Sequence, residues 1–279
     1  MSVTLGMILE ARERLKGVAQ RTGMVQFKAL SNENTQVYLK TEDLQNTGSF
    51  KVRGAYIKIA SLTQEERACG VIASSAGNHA QGVALAAQKN GIKSVICLPD
   101  GAPISKVEAT KSYGAEVCLV EGVYDDAYKK ALELKEEHGY TFVHPFDDEN
   151  VIAGQGTIGL EILNEMDDLD AVIVPIGGGG LIAGIAFAIK SLRPNVKVYG
   201  VQAAGAPSMF RSIKDGQIGT LDSVSTIADG VAVKTPEGKY SIITVNRSDA
   251  EQTVKVNTSF GEKMNLFLFS ESALPTDNT

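Results

Sequence analysis

Residues 170–190 read DAVIVPIGGGGLIAGIAFAIK, and the order of its three parts decides the fold. Asp170 to Ile176 is an apolar run of strand length, rich in valine and isoleucine, as a strand buried on both faces requires. Leu181 to Lys190 reads as a helix, and Gly177, Gly178, Gly179 and Gly180 join the two. Glycine weakens helix and strand alike, so four in a row at such a junction imply a backbone that wraps something closely, and a phosphate is the natural occupant. The turn lacks both the Gly-Lys-Ser/Thr ending of a P-loop and the spaced glycines and downstream acid of a dinucleotide fingerprint. A tight crossover in a doubly wound sheet would explain the glycines as well.

The same alternation recurs along the chain. Strands are expected at Val37 to Leu39, Val71 to Ala73, Ser94 to Leu98, Glu116 to Leu119, Ala171 to Ile176 and Lys197 to Gln202. Helices are expected near Ser61 to Arg67, Asn78 to Gly91, Ile104 to Tyr113, Asp125 to His138, Gln155 to Asn164 and Gly180 to Ser191, with a further one entered at Lys51 and an amphipathic one at the N-terminus. This is an α/β parallel-sheet pattern.

A second strand-to-helix junction carries polar residues instead of glycines. Val71 to Ala73 leads into Ser74, Ser75, Ala76, Gly77, Asn78 and His79, and a helix follows through Ala80, Val83, Ala84 and Ala87. Backbone N–H groups at such a helix entrance cradle anions, so a carboxylate or phosphate is expected there. Ser74 or Ser75 as an N-cap would account for the serines but leaves Asn78 and His79 without a task.

A lone lysine sits in the turn Thr47-Gly48-Ser49-Phe50-Lys51-Val52-Arg53-Gly54, at the mouth of another helix. A lysine amine becomes a nucleophile only when its surroundings lower its pKa, and a helix entrance disfavours the ammonium form. Lys51 is therefore the candidate anchor for an aldehyde cofactor, with Phe50 offering a flat face beside an aromatic ring.

Composition sets bounds on the rest. The chain has 279 residues, 43% of them hydrophobic, enough for one large or two modest domains. A net charge of -6 argues against nucleic acid. Cys69, Cys97 and Cys118 form no CxxC pair and read as buried apolar residues. With no secretory start and no apolar stretch long enough to span a bilayer, the expected compartment is the cytoplasm. Asp147, Asp148 and Glu149 read as a solvated turn between domains, not an acid/base or metal cluster.

Six ordered segments together resemble one family. TGSFKVRGAY, SSAGNHAQGVALAA, GAPISKVEATKSYGAEV, HPFDDENVIAGQGTIGLEIL, the tetraglycine turn and TIADGVAVKTP look like the fold type II pyridoxal-phosphate enzymes, in the threonine dehydratase and serine racemase branch, over roughly residues 5 to 237. The resemblance implies two parallel-type α/β domains, residues 1–65 plus 146–279 forming the larger and 66–145 an inserted smaller one, with pyridoxal 5′-phosphate in the cleft. It implies Lys51 as the Schiff-base lysine and base at Cα, Phe50 against the cofactor ring, and Asn78 on the ring 3′-oxygen. Gly177, Gly178, Gly179 and Gly180 would hold the phosphate, and Gly230 would make a backbone contact near the imine. Ser74, Ser75, Ala76, Gly77, Asn78 and His79 would receive the substrate carboxylate. The implied reaction converts L-threonine, and L-serine, to a 2-oxo acid and ammonia. The family also implies a dimer or tetramer, and the lack of an appended regulatory domain points to a nucleotide-activated catabolic form over a biosynthetic one making isoleucine.

Two departures qualify the resemblance. Racemases of the branch carry a serine at the position of Ala76, and acidic metal ligands at the positions of Gln202 and Ser208; here no second proton carrier or metal site is expected. After Pro236 the acid-containing segment and the serine-glycine-glycine turn at the ring nitrogen do not follow, so a C-terminally shortened chain is expected. Such a chain is either an active dehydratase using Ser259 or Thr258 at the ring nitrogen, or a weak or inactive remnant, with Phe267, Leu268 and Phe269 an exposed apolar patch.

Overall fold

The computed structural model describes residues 3–236 and the backbone of Met264–Phe269. The chain divides into two compact units, Ala11–Pro145 and Met1–Glu10 with Phe146–Thr279. Residues 258 and 259, suggested above for the ring nitrogen, lie outside the described residues.

In the unit Ala11–Pro145, β1 (Met24–Gln26) and β2 (Tyr38–Lys40) form an antiparallel pair, followed by α2 (Lys51–Ala60) and α3 (Gln64–Cys69), the N-terminal helix Leu5–Arg14 being α1. A parallel sheet then alternates with helices: β3 (Val71–Ser74), α4 (Asn78–Asn90), β4 (Ser94–Pro99), α5 (Ile104–Ser112), β5 (Glu116–Val120), α6 (Tyr124–His138) and β6 (Thr141–Phe142), in the order β5-β4-β3-β6. β3 and β4 are buried on both faces because helices cover each side. Val71, Ala73, Ile96 and Leu98 pack with Ala55 and Ile59 of α2 and Ala80, Val83 and Ala84 of α4. Ile72, Val95 and Cys97 pack with Ala127 and Ala131 of α6.

The unit containing Phe146–Thr279 holds α7 (Glu149–Glu165), β7 (Ala171–Pro175), α8 (Gly180–Leu192), β8 (Lys197–Ala203), α9 (Ser208–Asp215) and β9 (Met264–Phe269). β8 pairs in parallel with β7 and antiparallel with β9. α7 lies against α8 where Gly184 has no side chain: a Cβ there would stand 2.3 Å from the Ile152 carbonyl oxygen. Ile8 packs with Ala153, Leu160 and Ala188.

Several expectations change. α7 begins at Glu149, six residues before the expected start, because the Asp148 carboxylate accepts the backbone N–H groups of Asn150 (2.9 Å) and Val151 (3.2 Å). The Asp147–Glu149 run is therefore a helix entrance and not a solvated turn. α3 starts later than expected, behind a capping box between Thr63 and Glu66. β7 is not a fully buried strand: Ala171, Ile173 and Pro175 face outward, Ile173 with 61% exposure. Of the cysteines only Cys97 is buried; Cys69 is exposed and Cys118 intermediate. Phe267, Leu268 and Phe269 belong to β9, where their backbone pairs with β8. By their contacts residues 11–65 cluster with residues 66–145, α2 packing on α4, and Ala11, Leu15 and Val18 pack with Ile57.

Candidate functional site

Lys51 is the first residue of α2, and the turn before it is built for that placement. Gly48 takes φ +68°, a left-handed value that favours glycine, and the Ser49 hydroxyl accepts the Lys51 backbone N–H at 3.3 Å. The Lys51 side chain is partly exposed, with Nζ 5.4 Å from the centroid of the Phe50 ring and donating to the Pro145 carbonyl at 2.8 Å. Burial of the amine pushes its pKa down from 10.5 to about 8. About a tenth of the amine is then unprotonated at pH 7, against a few parts in ten thousand for an ordinary lysine.

The junction between β3 and α4 lies in the same unit. Gly77, not a serine, occupies the N-cap of α4, and the Ser75 hydroxyl accepts the Gly77 N–H at 3.2 Å. Asn78 is exposed, and Ala76 is partly buried against the core cluster of α2 and α4. The Ser74 hydroxyl is buried with no hydrogen-bond partner among the described residues. His79 is buried, and its Nε2 lies 2.8 Å from the Val143 carbonyl. Burial first, and then the charge of Lys51, drives the His79 pKa down to about 3, so the ring is neutral and Nε2 carries the donated proton. The ring serves the segment after β6, leaving the α4 backbone as what His79 offers a ligand.

The tetraglycine turn opens α8, a helix of 13 residues. Gly179 adopts φ +108° at the N-cap. Three of the glycines answer to neighbours in the protein itself: a Cβ on Gly178 would stand 2.4 Å from the Phe146 ring, one on Gly180 2.3 Å from the Phe146 carbonyl oxygen, and one on Gly177 3.2 Å from Val231 Cα. Packing therefore explains more of the run than the sequence suggested. The Gly230 carbonyl oxygen lies 3.6 Å from the same Gly177 position, so the structure brings Gly230 to this turn. Phe146 carried no signal of its own as the residue that dictates the glycines.

Gln202 and Ser208 are fully buried and face each other, with Gln202 Nε2 3.5 Å from the Ser208 hydroxyl and Gln202 Oε1 accepting the Phe210 N–H at 3.0 Å. Among the described residues no group of three or more His, Cys, Asp or Glu is placed to hold a metal.

A family model described as pyridoxal-phosphate dependent enzyme matches residues 15–262. The chain belongs to this family. An L-threonine ammonia-lyase of Thermotoga maritima is 53% identical over 235 residues, covering 84% of this chain and 59% of the relative. The processed form of threonine deaminase isoform 2 from Solanum lycopersicum superposes with a TM-score of 0.81 at 42% identity, covering 86% of this chain and 68% of that one. Serine racemase from Dictyostelium discoideum superposes with a TM-score of 0.79 at 38% identity, covering 87% and 78%. The fold is thus that of the fold type II pyridoxal-phosphate enzymes.

The residues present fit the family's cofactor. A lysine amine that loses its proton near pH 8 suits an aldehyde, and a glycine turn at the N-terminus of a long helix suits a phosphate. The rate at which pyridoxal phosphate attaches to Lys51, followed by absorbance, is expected to rise about tenfold per pH unit up to pH 8 and then to level off. An inflection near 10.5, the ordinary lysine value, would contradict the burial seen here. The same shift makes folding stability rise with pH between about 8 and 10.5, because the unfolded chain holds the Lys51 proton more tightly.

Proposed function

We propose that this chain binds pyridoxal 5′-phosphate through Lys51 and deaminates L-threonine, and L-serine: the β-hydroxyl leaves as water, the resulting enamine takes a water back on hydrolysis, and the net products are 2-oxobutanoate or pyruvate and ammonia. The observation that carries the reading is the desolvated Lys51 amine at the entrance of α2, beside Phe50. When bound, the cofactor supplies an electron sink that makes the proton on the substrate Cα removable. Lys51 Nζ takes that proton, and its lowered pKa keeps a useful fraction of the base free near neutrality. Backbone N–H groups in the first turn of α4, with Ser74, Ser75 and the exposed Asn78 beside them, receive the substrate carboxylate or the ring oxygen. Phe50 faces the cofactor ring, Gly177 to Gly180 take the phosphate, and Gly230 lines the same turn.

The assay is direct. Purified chain with pyridoxal phosphate and L-threonine should release 2-oxobutanoate and ammonia in equal amounts; cofactor attachment without product supports the reading as an inactive remnant instead. Elimination is favoured over racemisation because Ala76 has no proton to deliver to the second face of Cα. Incubation with L-serine should therefore give pyruvate and no D-serine, and D-serine accumulating at a steady rate would overturn that choice.

The remaining expectations belong to the same reading. A homo-oligomer, a nucleotide effector and a catabolic role follow the threonine dehydratase branch, and the free cysteines favour a reducing compartment such as the cytoplasm. Among the described residues no helix is long and apolar enough to cross a membrane.

A further inference from the structure

A buried ion pair lies behind Lys51, on the far side of its helix. Arg53 is 1% exposed, and its Nε and one terminal nitrogen each donate to Glu42, to Oε2 and Oε1, both at 2.8 Å. That terminal nitrogen also donates to the Gln20 carbonyl at 3.1 Å, while Glu42 accepts from Gln45 Nε2 at 3.4 Å and from the Thr22 hydroxyl. Stability alone is a poor reason for such a pair. Its desolvation offsets much of its attraction, and apolar residues of similar volume often serve a fold as well. What the two-pronged pair supplies is direction, since the planar guanidinium accepts only one orientation of the carboxylate.

That direction bears on Lys51 through helix geometry. Residues two apart on a helix lie about 200° apart around its axis, so Arg53 grips the face of α2 opposite Lys51. On the near face α4 is seated on the backbone itself: a Cβ on Gly82 would stand 3.1 Å from Lys51 C and Val52 N and 3.2 Å from Lys51 Cβ. α2 is held between these two contacts, and its rotation decides where Nζ points. At the outer radius of a helix with its side chains, about 5–6 Å from the axis, a turn of about 10° moves a side-chain end by about 1 Å. A misplacement of that size at a reacting group costs about 100-fold in rate.

We propose that Arg53, through Glu42, is a positioning residue that fixes the rotation of α2 and so aims Lys51 Nζ at the Pro145 carbonyl and the reacting centre. This rests on the reading of Lys51 as the group that carries the cofactor. The test uses cofactor-loaded Arg53→Lys and the double variant Arg53→Met with Glu42→Leu. Both should keep the absorbance of the attached cofactor but lose at least half of its visible circular dichroism. Their kcat for L-threonine should fall about 10- to 100-fold with KM within about threefold of wild type. Wild-type kcat and dichroism in the double variant would overturn the proposal; if that variant does not fold, Arg53→Lys decides on the same readouts. A cofactor-free measurement separates the two readings. Acetylation of Lys51 by acetic anhydride, followed by mass spectrometry against the exposed Lys16, should be at least threefold faster in Arg53→Lys. If the wild type never attaches the cofactor, the Lys51 reading fails while this rate still decides the positioning role, and an unchanged rate rejects it.

Discussion

Lys51→Ala leaves a protein that folds but neither turns yellow with pyridoxal phosphate nor forms 2-oxobutanoate, with turnover reduced by about 1,000-fold or more. The size follows from two roles lost at once, the covalent anchor and the base at Cα, the second alone being worth about 100- to 10,000-fold. Folding survives because the side chain gives the structure little. Its amine makes a hydrogen bond to the Pro145 carbonyl and otherwise bears a desolvation penalty that alanine removes. The thermal midpoint of the cofactor-free variant should therefore equal or exceed that of wild type. A lowered midpoint together with residual colour would assign Lys51 a structural role instead.

Gly180→Ala should be the more damaging change to the fold. Its Cβ would lie 2.3 Å from the Phe146 carbonyl oxygen and 3.0 Å from that residue's Cα, both backbone atoms that no rotamer change can move aside. Overpacking of this kind costs about 1–3 kcal/mol or more. At about 2–4 °C per kcal/mol for a chain of this size, the thermal midpoint should drop by roughly 5–10 °C. The entrance of α8 must shift, so cofactor affinity falls as well, measured by titration of the absorbance band. Gly216→Ala is the contrasting control: its Cβ meets nothing within 4 Å, although its φ of +68° carries ordinary left-handed strain. If Gly180→Ala melts and binds like wild type, the turn is not pinned by Phe146.

Much of this architecture was legible in the residues, for reasons that differ by element. β3 and β4 announce themselves because a strand covered on both faces needs an unbroken apolar run. The loop from Ser74 to His79 stood out because a helix cap would use its serines but leave Asn78 and His79 over, and Lys51 because it sits alone in a Gly- and Ser-rich turn at a helix mouth. The illegible parts depend on distant partners. β6 pairs only two residues, Val71 with Thr141 and Ile72 with Phe142, too short for any periodicity. The start of α7 was hidden because Asp148 acts as a cap only once its carboxylate meets the N–H groups of Asn150 and Val151. The tetraglycine turn shows the subtler failure. Its glycines point to a phosphate, yet three of the four are also required by Phe146 and Val231, residues whose proximity no local pattern reveals. The Glu42–Arg53 pair was unreadable for the same reason.

The most direct test of the account is chemical trapping of the cofactor on the chain. Purified protein is loaded with pyridoxal phosphate, reduced with borohydride and mapped by peptide mass spectrometry. The account predicts a phosphopyridoxyl group on the peptide that contains Lys51, at close to one per chain, and on no other lysine. A tag spread over surface lysines such as Lys16 or Lys111, with Lys51 unmodified, would contradict it.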